Sequence, residues 1–286
     1  MAIFFKISSI FLFCLSLLAL PWTASAEEWK ELKGEHFIAY YSRDPDFTQT
    51  ALQKAEGYYQ DIAADLGYQR YSDFWTWDKR AKIYLYPDHE AYLAATGRPT
   101  WSEGMADYQN KAIASYTGSP GFLENILPHE IAHLTFRSFV GFKGEIPVWL
   151  DEGVAQWWTS GIKNSGIQTE TKRLFYRGAL VPMNEIIKLD PRIIAPTSTY
   201  TTQAHAKNGR WVKLTLTSDE LVKTFYLEAA SIIGFLKERY GPERFTEFCR
   251  ALRDGKSLDK ALGSAYKEQL SGVSDLEKEW LNYLSQ

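Results

Sequence analysis

The chain predicts an α+β fold, a small N-terminal sheet packed on helices and followed by a mainly helical C-terminal half. Three observations predict it. Short apolar runs with strand-like patterning are confined to the part before residue 117, helical periodicity dominates after residue 148, and glycine or proline separates the periodic segments.

In order along the chain, Glu35 to Tyr41 reads as a strand, and Phe47 to Leu66 as an amphipathic helix ending at Gly67. Lys82 to Tyr86 reads as a second strand closed by Pro87, Asp88 to Ala95 as a short capped helix, and Lys111 to Thr117 as a third strand. A helix follows over residues 126–136, with Asn125 as the expected cap and Pro128 in the first turn, where its missing N–H costs little. Gly141, Gly144 and Pro147 break the chain before a helix from Val148 to Trp158. Thr169 to Arg177, Asp219 to Tyr240, Pro242 to Arg253, Ser257 to Tyr266 and Ser274 to Leu284 all carry apolar residues at helical spacing. Between them, Thr201 to Thr217 contains Asn208-Gly209, a hairpin signal, and reads as a surface hairpin or a flap over a site.

The first residues set the compartment. Lys6, an apolar run from Ile7 to Leu20, Pro21 and the small-x-small triplet Ala24-Ser25-Ala26 form a secretory signal peptide, with cleavage expected after Ala26. The run is short for a bilayer span and Cys14 lacks lipoprotein-like neighbours, so the mature protein is expected to be exported, periplasmic or secreted, with no stable membrane anchor. Residues 27–286 then form one domain with two subdomains, 27–140 and 141–286, sharing a cleft. With 32 basic against 35 acidic residues and no basic tail or patch, nucleic acid is excluded as a partner. Cys249 is the one cysteine of the mature chain, so no intramolecular disulfide exists, and its apolar helical setting predicts a buried structural thiol.

The chemistry is carried by His129-Glu130-Ile131-Ala132-His133. On a helix, histidines at i and i+4 point at one ion, while Glu130, about 100° around from His129, faces the position where water binds. Ile126, Leu127, Ile131, Leu134 and Phe136 make this helix apolar on most of its circumference, and buried imidazoles and carboxylates require partners. A divalent cation supplies them. The field at the helix start favours the neutral imidazole that a metal needs at His129. Eighteen residues after His133 stands Glu152, a candidate third ligand that leaves a fourth position open; adjacent Asp151 is its rival, because neighbouring helical residues point in different directions.

His129-Glu130-x-x-His133, eighteen residues, and Glu152 within Trp149-Leu150-Asp151-Glu152-Gly153-Val154-Ala155 together resemble the gluzincin branch of the zincin metallopeptidases. The spacing is similar to that of the zinc aminopeptidases, and the whole chain resembles small bacterial peptidase MA-like domain proteins, many of them exported. The resemblance implies Zn2+ as cofactor, with His129, His133 and Glu152 as ligands and Glu130 as general base. It also implies a catalytic tyrosine: Tyr226, opening Tyr226-Leu227-Glu228-Ala229-Ala230-Ser231, matches that family segment and becomes the candidate oxyanion stabiliser. By the same resemblance Lys111 to Tyr116 forms the rim of the cleft and pairs with an extended peptide.

Two departures limit what carries over. Asp151 stands where the aminopeptidases usually have Asn, and Gly104-Met105-Ala106-Asp107 lacks their amino-binding glutamate, so exopeptidase specificity does not transfer. The expected function is hydrolysis of a peptide or protein substrate. The alternatives are a zinc-retaining binding or chaperone-like envelope module without turnover, and hydrolysis of a non-peptide amide. His205 in the hairpin is a further candidate contact; His36 and His89 read as structural, and Trp149, Trp157 and Trp158 mostly as core.

Overall fold

A computed structural model describes residues 28–66, 75, 79–141, 146–159, 165–205 and 210–286. The signal-peptide reading of residues 1–26, the break at Gly144 and the Asn208-Gly209 turn lie outside the described residues, as does the side chain of His205. Among the described residues, no helix is long and apolar enough to cross a membrane.

Five strands form a mixed sheet in the order β1-β2-β3-β5-β4. The expected strands appear as β2 (Phe37–Tyr41), β3 (Ala81–Tyr86) and β5 (Ala112–Tyr116), which run parallel to one another. Their alternation is why they form: Phe37, Ala39, Ile83, Leu85 and Ile113 are fully buried, whereas Tyr40 and Tyr84 stack at 5.0 Å on the opposite face. Two antiparallel edge strands complete the sheet, β1 (Lys30–Lys33) beside β2 and β4 (Gly104–Asp107) beside β5.

This arrangement corrects one expectation. β5 is bonded to β3 on one side and to β4 on the other, so its backbone has no free edge for a peptide. The edge strands of the sheet are β1 and β4, and of these β4 is the one beside β5 and α3.

The buried face of the sheet packs on α1 (Pro45–Asp65) and α3 (Leu127–Val140). α1 starts at Asp44, which accepts from Phe47 N at 2.9 Å, and α2 (His89–Thr96) starts at Asp88, which accepts from Ala91 N at 2.9 Å. α3 begins differently from the sequence expectation. Asn125 is not its cap: a π-helical turn, Phe122–Ile126, opens at Gly121 (φ 68°) and runs directly into α3 without a side-chain cap. His129 therefore sits inside a continuous helical run rather than at its positive end, so the end field expected to act on it is absent.

The C-terminal half is helical as expected. α4 (Val148–Thr159) packs on α3 and on the long α7 (Ser218–Tyr240), with α5 (Ser165–Arg177), α6 (Met183–Ile186), α8 (Pro242–Arg253), α9 (Leu258–Tyr266) and α10 (Val273–Ser285) around them. α7 carries a capping box in which Thr217 and Glu220 satisfy each other's backbone N–H groups. Strands β6 (Thr199–His205) and β7 (Trp211–Thr217) form the expected hairpin. A buried polar chain ties three helices: Trp280 donates to Ser231 Oγ at 3.0 Å, and Ser231 donates to Gln168 at 2.6 Å. Cys249 is buried, with its thiol pushed up by burial, as its setting predicts.

α4 and α7 touch at Gly153. A Cβ there would stand 2.8 Å from the carbonyl oxygen of Ala229 and 2.9 Å from Ile233 Cγ1, so only glycine permits this approach. Gly153→Ala is expected to cost about 1–3 kcal/mol of stability. Because it shifts the helix next to Glu152, it should also weaken metal uptake; thermal unfolding and zinc titration of the variant check both.

Glu228, also on α7, is fully buried and accepts from Val181 N at 2.8 Å through Oε1, while Oε2 has no hydrogen-bond partner among the described residues. Burial pushes its carboxyl well above the usual glutamate range. A raised carboxyl means that the folded state holds a proton the unfolded chain has released. Stability therefore falls as pH rises above the unfolded value, by about 1.4 kcal/mol per pH unit, until the folded pKa is reached. Glu228→Gln should flatten this slope, which thermal melts from about pH 5 to about pH 8 resolve.

Candidate metal centre

α3 and α4 lie side by side and bring His129, His133 and Glu152 to one point. One ligand atom from each lies within 4.8 Å of the others. The individual separations are 3.1 Å between the two histidine Nε2 atoms, 3.6 Å from His129 Nε2 to Glu152 Oε2, and 3.5 Å from His133 Nε2 to the same oxygen. Separations of this size are ones that three donors to a single metal ion can adopt.

The outer nitrogens decide which electron pairs face inward. Thr159 Oγ1 donates its single proton to the carbonyl of Ala155 at 2.8 Å, and it contacts His129 Nδ1 at 2.7 Å. With its proton committed, the hydroxyl accepts from Nδ1–H, which leaves a bare electron pair on His129 Nε2. His133 Nδ1 stands at ion-pair distance, 3.1 Å, from Asp151 Oδ2, which favours keeping a proton on that nitrogen; the Nε2 electron pair becomes free for an ion once the second ring proton is displaced. Two such electron pairs and the Glu152 carboxylate converge in a buried place, and the arrangement is stable only with positive charge among them. Burial lowers the pKa of His133, but Asp151 and Glu152 outweigh it and carry it up to about 10. Burial raises that of Glu152, but His129 and His133 hold it well below the usual carboxylate range. A divalent cation can take the place of the proton the cluster otherwise retains.

Asp151 and Glu152 thus divide the work. Glu152 faces both Nε2 atoms, while Asp151, buried, is held by Arg137 through bonds of 3.2 Å from Nε and 2.6 Å from Nη2. Arg137 in turn lies 3.9 Å over the Tyr108 ring, whose centroid is 5.8 Å from that of His133. Tyr108, Arg137 and Thr159 escaped the sequence reading. Nothing local marks one tyrosine among seventeen, although Arg137 at one turn beyond His133 is a spacing that could have been followed.

Glu130 leaves α3 toward a cleft of about 370 Å3 lined by Trp101, Glu103, Gly104, Ile126 and His129, beside the start of β4. Its carboxylate has no hydrogen bond or ion pair among the described residues. Tyr226 lies on α7, its ring edge-on to Phe225 at 5.5 Å; burial first, then the Glu152 and Glu130 carboxylates, hold its phenol well above its ordinary range, and Arg192 opposes them. His36 is paired with Glu56 at 2.7 Å and His89 contacts the Ser102 carbonyl at 2.9 Å, both away from the cluster. Trp149 and Trp157 are core residues.

A mixed sheet lies against a pair of helices that bring two histidines and a glutamate together, and His129, His133 and Glu152 form a candidate metal-binding triad. No protein-family model and no curated protein matches the chain. Among solved structures 39 chains match, one of them an M1 zinc metallopeptidase from Deinococcus radiodurans, at a TM-score of 0.46 and 15% identity. That alignment covers 90% of this chain and 51% of the other, so the chain spans about half the length of the structure it matches.

Proposed function

We propose that this protein is an exported, zinc-dependent peptidase of gluzincin type. The observation that carries the reading is the convergence of three electron-pair donors at a spacing one metal ion can bridge, with the unpaired carboxylate of Glu130 on the same helix and facing the adjoining cleft. His129, His133 and Glu152 hold the ion, oriented by Thr159 and Asp151. When bound, such an ion acidifies a water molecule and polarises a substrate carbonyl. Glu130 accepts the proton of the attacking water and returns it to the departing amine. The Tyr226 phenol, which burial keeps protonated, donates a hydrogen bond to the oxygen on which negative charge develops. The free edge of β4 aligns an extended peptide across the cleft.

Metal removal tests the reading. The mature protein is expected to bind one zinc ion per chain, to cleave members of a broad peptide library, to lose that activity to a chelator and to regain it with zinc. Zinc binding without cleavage of any peptide would move the assignment to a binding module. A chain that takes up no zinc from metal-free solution removes its foundation.

A further inference from the structure

The cleft beside the candidate metal centre has a chemical character that hydrolysis alone does not need. Two carboxylates line it, Glu103 and Glu130, and among the described residues no lysine or arginine does. Neither carboxylate is hydrogen-bonded or ion-paired among the described residues. Glu130 has a proposed role as base, but Glu103 has none in bond cleavage, and no cation among the described residues is paired with it. Its place is set by the backbone: its carbonyl accepts from Ser115 Oγ at 2.6 Å, which pins the residue to β5 at the entry to β4. The second observation is Trp101, which is 80% exposed, far beyond the usual exposure of so large an apolar side chain, and which lines the same cleft. An indole and a carboxylate that line one cleft, the carboxylate unpaired among the described residues, suit an organic cation, which the ring quadrupole and the charge both attract.

We propose that this cleft is a specificity subsite for a basic side chain, lysine or arginine, of a peptide substrate, with Glu103 as the charge partner and Trp101 as the stacking face. The inference rests on the peptidase reading and names the substrate class for it. Dimensions favour a side chain over a bare amino terminus. An ammonium group, roughly the size of one water at ~30 Å3, leaves most of a cavity of about 370 Å3 to solvent. A lysine or arginine also brings a methylene stem, which the apolar walls at Trp101, Gly104 and Ile126 accommodate. Gly104 brings the backbone against the opposite wall, since a Cβ there would stand 2.5 Å from Ile126 Cγ2.

The test compares zinc-loaded wild type and Glu103→Gln on peptides of equal length that differ at one position, lysine against norleucine and arginine against citrulline, with free and acetylated amino termini. Wild type is expected to favour the charged member by about tenfold or more in kcat/KM, Glu103→Gln to lose most of that preference while still cleaving the neutral peptide, and added salt to shrink it. Equal cleavage of charged and neutral peptides by wild type overturns the subsite and leaves the peptidase reading standing. A preference that follows the free amino terminus and vanishes on acetylation overturns the side-chain assignment. If nothing is cleaved, fluorescence anisotropy of the same labelled peptides separates the two claims. A tenfold binding preference erased by Glu103→Gln supports the subsite while hydrolysis fails, and equal or absent binding overturns it.

Discussion

Glu130→Gln is expected to retain one zinc ion per chain and to lose peptide hydrolysis by about 10²–10⁴-fold in kcat/KM. The amide keeps the size of the carboxylate but cannot accept a proton from water. Because Glu130 makes no hydrogen bond or ion pair among the described residues, its replacement disturbs no structural contact, and melting temperature should be unchanged. Tyr226→Phe removes a donor and leaves the base, so its loss should be smaller, on the order of 10²–10³-fold and confined to kcat. Metal content by elemental analysis, thermal melts and steady-state kinetics on one peptide separate these outcomes. A Glu130→Gln protein as active as wild type would rule out the general-base assignment.

The second large effect is expected at Asp151. This buried carboxylate holds Arg137 through two bonds and stands 3.1 Å from His133 Nδ1. Burial raises its pKa, but His133 and Arg137 outweigh that and keep it ionised. Asp151→Ala leaves two cationic groups without their partner, at a cost of about 3–5 kcal/mol. It also frees the His133 ring, which should weaken zinc affinity by about 10–100-fold. Combining it with Arg137→Leu distinguishes the two effects. The double variant should recover part of the stability, since the unpaired guanidinium is gone, and none of the zinc affinity, since His133 is still unsupported. Equal recovery of both would mean that Asp151 acts on the metal only through the integrity of the fold.

Much of this centre was legible in the sequence because it is built on helical periodicity. His129, His133 and Glu152 are brought together by spacing along two adjacent helices, and α1, α7 and α8 follow from their apolar stripes and glycine or proline ends. What could not be read were features set by tertiary contacts. Lys30–Lys33 and Gly104–Asp107 are four-residue strands without apolar alternation; they are strands because a neighbour's edge pairs with them, and from that follows the mistaken rim at β5. The π-helical entry to α3 turned an expected cap into an interior residue. The choice of Glu152 over its neighbour Asp151 rests on the family resemblance and not on spacing alone, because which of two adjacent carboxylates faces the cluster depends on the rotation of α4. Thr159 needed knowledge of where its own proton goes, which only the Ala155 carbonyl shows.

The donors all come from α3 and α4, which follow each other in the chain, with none from the sheet or from α7. An ion held there is a cross-link over a short loop, comparable to a small disulfide in sequence span, and it ties no distant segments together. Its contribution to stability is therefore expected to grow with free zinc as RT ln(1 + [Zn]/Kd) while the apo chain still folds on the core that its helices and sheet already share. On the proposed zinc reading, a compartment poor in zinc would hold a folded but less stable protein.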